Sequence, residues 1–200
     1  MKRLLDLLLS SAALLLLSPV MVLCAVLVRL SSPGPALFFQ KRLGLHGRPF
    51  FVWKFRSMYL NAPDVRNSDG SAFAGAHDAR VTPVGRFLRD TSLDELPQLW
   101  NVFRGDMSLV GPRPDQFGQR AFYAGQESRK LDVRPGLTGL AQISGRNAIS
   151  WAQRKALDVE YVERQNLWLD LTILCRSIPY VLLRKGSYTH ERTGSPQTRV

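Results

Sequence analysis

Apolar residues run without a charge from position 7 to position 28, and the pattern then breaks into short pieces. A run of that length raises a transmembrane reading, which needs about 20 apolar residues. Ser31-Ser32-Pro33-Gly34-Pro35 is a breaker cluster and reads as the turn leaving the run. Positions 37–40 and 50–55 are apolar or aromatic runs separated by Gly44 and Gly47, the pattern of a β-hairpin. Positions 61–79 are polar and poorly patterned, and read as a loop. Helical patterning follows at 85–93, at 96–103 with Gly105 as its stop, and at 117–131. Arg134-Pro135-Gly136 ends the last of these; 137–143 reads as a short strand and 151–165 as another helix. Positions 167–183 are strongly apolar but carry Asp170, Arg176 and Pro179, which suits a surface-lying amphipathic helix better than a second span. The polar tail from Gly186 predicts loose order. Together the elements predict an α-rich α+β fold with a small β-hairpin, divided into a membrane helix over 1–32, a main body over 33–185 and a tail over 186–200.

The apolar run is too long for a secretory leader, and no A-x-A site closes it. Leu23 stands where a lipoprotein site at Cys24 would want a small residue. The segment therefore reads as retained. Ser18-Pro19 falls near its middle, where the missing proline donor bends a helix. Lys2 and Arg3 precede the run, and Arg29, Lys41, Arg42, Arg48, Lys54 and Arg56 follow it, with no acid between Asp6 and Asp64. Positive charge favours the cytoplasmic side, and here both flanks demand it. A helix broken at Ser18-Pro19 that dips into one leaflet and returns satisfies both; a Pro-kinked spanning helix is the alternative. On charge alone the two are evenly balanced.

Two hundred residues fit one compact domain besides that segment. The formal charge of +11, from 27 Lys plus Arg against 16 Asp plus Glu, suits anionic partners: nucleic acid, phosphorylated substrates or an acidic leaflet. Cys24 and Cys175 form neither a metal spacing nor a disulfide framework and read as reduced. His46, His77 and His190 lack ligand spacing.

Three constellations carry chemistry. In Thr91-Ser92-Leu93-Asp94-Glu95-Leu96-Pro97 the ordinary role of the acids is helix capping, with Ser92 or Asp94 as the cap. Arg80, Arg86, Arg89 and Arg104 nearby change the picture, because a carboxylate among arginines stays ionised and serves as nucleophile or metal ligand. In Gly111-Pro112-Arg113-Pro114 two prolines hold the backbone extended and pre-position a guanidinium suited to phosphate. In Arg134-Pro135-Gly136-Leu137-Thr138-Gly139 and Ser144-Gly145-Arg146-Asn147, glycines permit close backbone approach to a ligand and the arginines supply charge. No Walker or Rossmann fingerprint and no G-x-S-x-G element is present.

These pieces fall in a specific order. Lys2-Arg3 with Asp6, the Ser18-Pro19 break and Lys54-Phe55-Arg56-Ser57-Met58 come first. Asp94-Glu95-Leu96-Pro97-Gln98-Leu99-Trp100-Asn101-Val102 and Gly105-Asp106-Met107-Ser108-Leu109-Val110-Gly111-Pro112-Arg113-Pro114 follow, then Val133-Arg134-Pro135-Gly136-Leu137-Thr138-Gly139 and Ser144-Gly145-Arg146-Asn147. The ordered set resembles the bacterial sugar transferase family of monotopic phosphoglycosyl transferases, and most of all its short members. The resemblance runs from Lys2 to about Leu183.

The resemblance implies a monotopic membrane protein of the bacterial inner membrane: a re-entrant helix-break-helix, and a catalytic domain on the cytoplasmic face with interfacial amphipathic helices. It implies a Mg²⁺-dependent reaction in two steps. Asp94 would attack the sugar-linked phosphate of a UDP-sugar and release UMP. Glu95 would help Asp94 hold Mg²⁺ or orient the site. Polyprenyl phosphate, of the undecaprenyl type, would then take the phosphosugar and begin a glycoconjugate. Arg89, Arg113, Arg134, Arg146 and Asn147 would bind substrate, since phosphoryl transfer is mostly positioning and charge neutralisation. The implied partners are the UDP-sugar, polyprenyl phosphate and membrane lipids, and not nucleic acid, which would explain the charge but not the apolar start. A non-enzymatic membrane scaffold would not need the acid pair and stiffened Arg loop. A glycosyltransferase that moves the sugar without its phosphate would release UDP instead of UMP.

Overall fold

The computed structural model describes residues 1–67, 73, 75, 78–145, 148–182 and 197–198; Arg146, Asn147, His77, His190 and nearly all of the tail lie outside the described residues. Helix α1 (Lys2–Ser31) continues through Pro19. A proline at position 19 leaves the Leu15 carbonyl without its amide donor, and the Ser18 hydroxyl donates to that carbonyl at 2.8 Å. The Ser-Pro pair thus satisfies part of the backbone that the proline disrupts, which matters most where no water can do so.

Both ends of α1 are fixed to the same body. At the start, Lys2 Nζ donates to Val110 O (3.0 Å) and pairs with Asp170 (2.7 Å). Arg3 donates to the carbonyls of Val102 and Phe103 at 2.6 and 2.7 Å. The buried Asp6 accepts from Ser108 Oγ at 3.1 Å and Leu109 N at 2.9 Å. At the far end the buried Arg56 guanidinium donates to the carbonyls of Ser32 and Pro33, which follow the last helical turn. Between these anchors Ala13, Leu14 and Leu17 pack on one apolar core and Cys24 and Val28 lie in another. Leu4, Leu8, Leu15 and Leu16 stay exposed. By length and apolarity α1 can cross a membrane.

The predicted hairpin is present, as β1 (Leu37–Leu43) and β2 (Pro49–Phe55) in antiparallel register. A second, two-residue ladder pairs β3 (Val65–Arg66), inside the expected loop, with β6 (Gln197–Thr198). Helices α2 (Pro83–Asp90) and α3 (Gln98–Arg104) follow, and Gly105 ends α3 at φ 94°, where a side chain would be strained. Asn101 of α3 completes the free edge of β2: its side chain accepts from Trp53 N at 3.0 Å and donates to Phe51 O at 2.8 Å. Strand β4 (Ser108–Val110), which the pattern did not announce, runs parallel to β5 (Gly136–Thr138). Helix α5 (Trp151–Arg164) starts on a Ser150–Gln153 capping box, and α6 (Leu167–Leu182) contains Pro179. Among the α6 residues, Trp168, Leu171, Cys175 and Ile178 are exposed, an apolar stripe at helical spacing.

Two expected elements are corrected. Positions 117–131 form not one amphipathic helix but two 3₁₀ segments, Phe117–Phe122 and Gly125–Asp132, the second opening on Gly125 at φ 53°. The strand expected at 137–143 stops at Thr138, and helix α4 (Leu140–Ile143) takes the rest. The main core gathers Val52, Leu99, Val102, Met107, Val110, Tyr161 and Ile173, so the hairpin, α3, β4, α5 and α6 share one interior.

Candidate active site

Local geometry sets the acid pair apart from a helix start. Thr82 caps α2 by accepting from Gly85 N at 2.9 Å. A Cβ on Gly85 would sit 1.9 Å from Ser57 O, so only glycine lets α2 seat against the segment leaving β2. That seating brings Arg89 Nε to Ser57 Oγ at 2.8 Å. Ser92 then adopts φ 58° and turns the chain into a single 3₁₀ turn, Leu93–Glu95, before Pro97 opens α3. Neither Ser92 nor Asp94 caps a helix through its side chain, so the capping role falls away.

The two carboxylates have different surroundings. Glu95 Oε1 lies 2.7 Å from Lys54 Nζ and 2.5 Å from Arg113, whose second nitrogen reaches Oε2 at 3.3 Å. Asp94 is buried beside them, within the fields of Lys54, Arg89 and Arg113. Among the described residues, Lys54 of β2 and Arg113 of the loop after β4 bond to Glu95, and Arg89 of α2 adds its charge to the field at Asp94. Arg42 adds to the same field, and its guanidinium is pulled down to about 10 by burial and by Arg113. The cluster is more positive than its two acids can neutralise, which fits a polyanionic ligand.

The balance of charge and burial corrects an expectation about Asp94. Burial pushes its carboxyl up to about 6, with Glu95 adding to the rise, and Lys54, Arg89 and Arg113 offset only part of it. The cations favour its charged form, but burial outweighs them and the carboxyl stays above the usual range. At neutral pH the carboxylate form still predominates. Burial acts on Glu95 too, but Arg113 and Lys54 at contact distance hold it well below the usual range. Lys54 is lowered by its own burial despite Glu95.

Of the substrate contacts expected from sequence, Arg113 bonds to Glu95, and Arg89, bonded to Ser57, lies within the field of Asp94. Arg134 points elsewhere: its Nε donates to Gly105 O at 3.0 Å, beyond the opposite end of α3 from Glu95. Arg80 and Arg104 turn to Asp78 and Asp106 instead. The glycines of the third motif are used within the fold: a Cβ on Gly136 would meet Gly111 N at 2.1 Å, and one on Gly139 would meet Gly111 O at 2.1 Å. They pack backbone on backbone beside β4 and β5.

Lys54 joins the site although its motif alone does not announce it, and the hairpin register carries the signal. Phe38 faces Lys54 and Arg42 faces Phe50, so strand alternation puts Lys54 and Arg42 on one face. A buried Asp115–Lys130–Asp158 cluster behind Arg113 was also missed. Lys130 Nζ lies 2.9 Å from Asp115 and 2.5 Å from Asp158, and its three members are too scattered in sequence to signal one another.

For a divalent cation the protein offers Asp94 and Glu95, and no cluster of three potential ligands exists among the described residues. Mg²⁺ is held in such sites by one or two carboxylates, with substrate phosphates and water completing the shell. The donor set fits that use. Asp94 is the better placed of the two, because Glu95 is already engaged by two cations.

Sequence comparison agrees with this chemistry. The chain matches the bacterial sugar transferase family over residues 1–184, and it belongs to that family. It is 45% identical over 189 residues to the uncharacterized sugar transferase EpsL of Bacillus subtilis, covering 93% of this chain and 89% of that one. It is 43% identical over 197 residues to the UDP-glucose:undecaprenyl-phosphate glucose-1-phosphate transferase of Caulobacter vibrioides, covering 94% and 72%. It is 43% identical over 198 residues to the exopolysaccharide production protein ExoY of Rhizobium meliloti, covering 94% and 88%. The protein is an enzyme, a sugar-phosphate transferase.

Proposed function

We propose that this enzyme moves a sugar-1-phosphate from a UDP-sugar to undecaprenyl phosphate, or a similar polyprenyl phosphate, and so begins the assembly of a polysaccharide or other glycoconjugate. The observation that carries the reading is the asymmetry of the acid pair: Glu95 is clamped by Lys54 and Arg113, while among the described residues the Asp94 carboxylate has no such partner. The Asp94 oxygen attacks the sugar-linked phosphorus, and a carboxyl O–P bond forms as the bridging P–O bond breaks. UMP leaves with the bond electrons. An oxygen of the polyprenyl phosphate then attacks the same phosphorus, and the Asp94 carboxylate departs. The covalent stage separates the two bulky substrates in time. Arg89, Arg113 and Lys54 neutralise the phosphoryl oxygens in both steps. Asp94, with Glu95 beside it, would hold Mg²⁺, which would supply further neutralisation of the diphosphate.

The test is to incubate enzyme and UDP-sugar without lipid. Release of UMP and a phosphosugar adduct on the Asp94 peptide are expected. Release of UDP, or an adduct elsewhere, overturns the reading in favour of direct glycosyl transfer or another nucleophile. Because phosphates complete the metal shell, activity is expected to disappear in excess EDTA and to return with Mg²⁺. Full turnover in EDTA rejects the metal role.

We infer further that the enzyme sits on the cytoplasmic face of the bacterial inner membrane, with α1 as a re-entrant helix bending at Ser18-Pro19. Supporting this, Lys2, Arg3 and Asp6 at one end of α1 and the Arg56-bound carbonyls at the other are fixed to one body, which a span of the full ~30 Å of hydrocarbon would separate. The exposed apolar stripe on α6 suits an interfacial helix. In a variant lacking Cys24 and Cys175, a cysteine placed ahead of Met1 is expected to be labelled only from the cytoplasm. Pro19→Ala is expected to straighten α1 and shift part of the population to periplasmic labelling. Periplasmic labelling of the parent rejects the re-entrant form.

A further inference from the structure

Arg42 brings a positive charge to the acid pair that the neighbouring carboxylates do not take up. Its guanidinium donates to Pro114 O at 3.1 Å and to the Gln40 carboxamide. Among the described residues no carboxylate pairs with it, because the two whose fields reach it are already engaged. Asp115 is held by Lys130 and Tyr123, and Glu95 by Lys54 and Arg113. The Pro114 bond sets Arg42 beside the loop that carries Arg113, and Leu43 N donates to Asp115 O at 2.9 Å to hold β1 against that loop. The Gln40 bond turns the guanidinium back along β1, which the hairpin register makes the direction of Lys54.

Strand order lines up the cations. Arg42 faces Phe50, Lys54 stands four residues further along β2, and Ser57, which holds Arg89, comes after it. Arg42 and Arg89 therefore flank the acid pair, with Lys54 and Arg113 between them. Arg113 works against the charge of Arg42, and like charges held together stabilise an anion placed between them. The reaction brings such an anion twice. Displacement at phosphorus runs in line, so the attacking and leaving oxygens lie opposite one another. When Asp94 attacks, the UMP phosphate departs on the far side. When polyprenyl phosphate attacks, it enters opposite the departing Asp94, at the place UMP has left. One set of donors must serve both phosphates. Arg89 acts on Asp94 itself, whereas Arg42 lies past Arg113, away from it.

We propose that Arg42, fixed between Gln40 and Pro114, is a phosphate subsite used twice: it binds the UMP phosphate as that leaves and the phosphate of the polyprenyl acceptor as that attacks. The proposal rests on the covalent reading above. In the first step the P–O bond to UMP breaks, its electron pair stays on the UMP phosphate, and negative charge grows there beside Arg42. A fixed cation at that place stabilises the developing charge. In the second step an oxygen of polyprenyl phosphate forms the new P–O bond, and the Asp94 carboxylate leaves with the pair of the bond that breaks. The two phosphates exclude each other, since one subsite cannot hold both.

The experiment forms the phosphosugar adduct on the full chain in detergent with UDP-sugar, then removes UMP by gel filtration. Three fates of the adduct are timed: attack by UMP, attack by polyprenyl phosphate, and hydrolysis by water, which brings no second phosphate. In Arg42→Gln the second-order rates with UMP and with polyprenyl phosphate are expected to fall at least tenfold relative to hydrolysis, by similar factors. Equal loss of all three means that Arg42 only positions the Arg113 loop, and overturns the subsite. So does an unchanged ratio to hydrolysis. Loss with UMP alone, or with the lipid alone, overturns the shared use. Should Arg42→Gln not fold or not form the adduct, the unaltered chain is treated with phenylglyoxal, which modifies arginine. UMP and polyprenyl phosphate, each added alone, are expected to shield the Arg42 peptide at least fivefold, and shielding by one or by neither overturns the shared subsite. All these failures leave the covalent reading standing. A parent enzyme that forms no adduct with donor alone overturns both.

Discussion

Asparagine at position 94 is expected to abolish UMP release and at the same time to make the fold more stable. The substitution keeps the shape but removes the oxygen that forms the bond to phosphorus. Loss of a covalent nucleophile costs on the order of a thousandfold or more in rate, about 4 kcal/mol of barrier. The stability effect follows from burial. An acid raised from 3.8 to about 6 binds its proton more tightly when folded. Its ionised form therefore opposes folding, by nothing below about pH 4 and by up to ~3 kcal/mol once the pH exceeds both values. Asp94→Asn removes that opposition. Thermal unfolding in detergent with EDTA, so that no cation compensates, should show the variant melting a few degrees above the parent at pH 7, with the gap closing towards pH 4. A variant that keeps turnover within about tenfold of the parent rejects covalent catalysis by Asp94. One that melts below the parent at pH 7 rejects the picture of a buried, strained carboxylate.

Much of this site was legible in the chain because its parts are local. The hairpin follows from two apolar runs and two glycines, and Gly105 ends α3 where expected. Pro112 and Pro114 hold Arg113 in place to reach Glu95, as their stiffness suggested. What escaped depends on contacts between distant segments. Arg134 stands in a glycine-rich motif, but Gly136 and Gly139 are needed because β4 comes within contact of β5, and no local pattern announces β4. The sign of the Asp94 shift escaped for a related reason. Arginines near in sequence were counted as near in space, yet Arg80 and Arg104 face other acids, and the burial that outweighs the rest is a property of the folded chain. Asp6 shows the same limit in reverse: an acid beside an apolar run reads as a flank charge until Ser108 and Leu109 are seen to bind it.

Lys130→Met is expected to destabilise the fold strongly. Lys130 lies between Asp115 and Asp158, at 2.9 and 2.5 Å, and Tyr123 also donates to Asp115 at 2.8 Å. Burial pulls the ammonium down, but the two carboxylates outweigh it and hold Lys130 above its usual range. Burial already holds Asp158 above the usual carboxylate range with the lysine present. Removing the cation leaves two buried carboxylates against each other. Such breakage costs about 3–5 kcal/mol, which in a chain of this size lowers the melting temperature by roughly 6–20 °C. The pH dependence identifies the cause. Without Lys130 both carboxyls bind protons more tightly in the folded state, so the deficit should be full at pH 7 and shrink as the pH falls towards 4. Asp158→Asn, which leaves Lys130 paired with Asp115, should cost less than half as much. Asp115 stands two residues from Arg113, so the same loss should loosen the loop that carries the guanidinium to Glu95 and raise KM for the UDP-sugar. A Lys130→Met protein that melts within a degree or two of the parent at pH 7 would show that the cluster does not hold this loop.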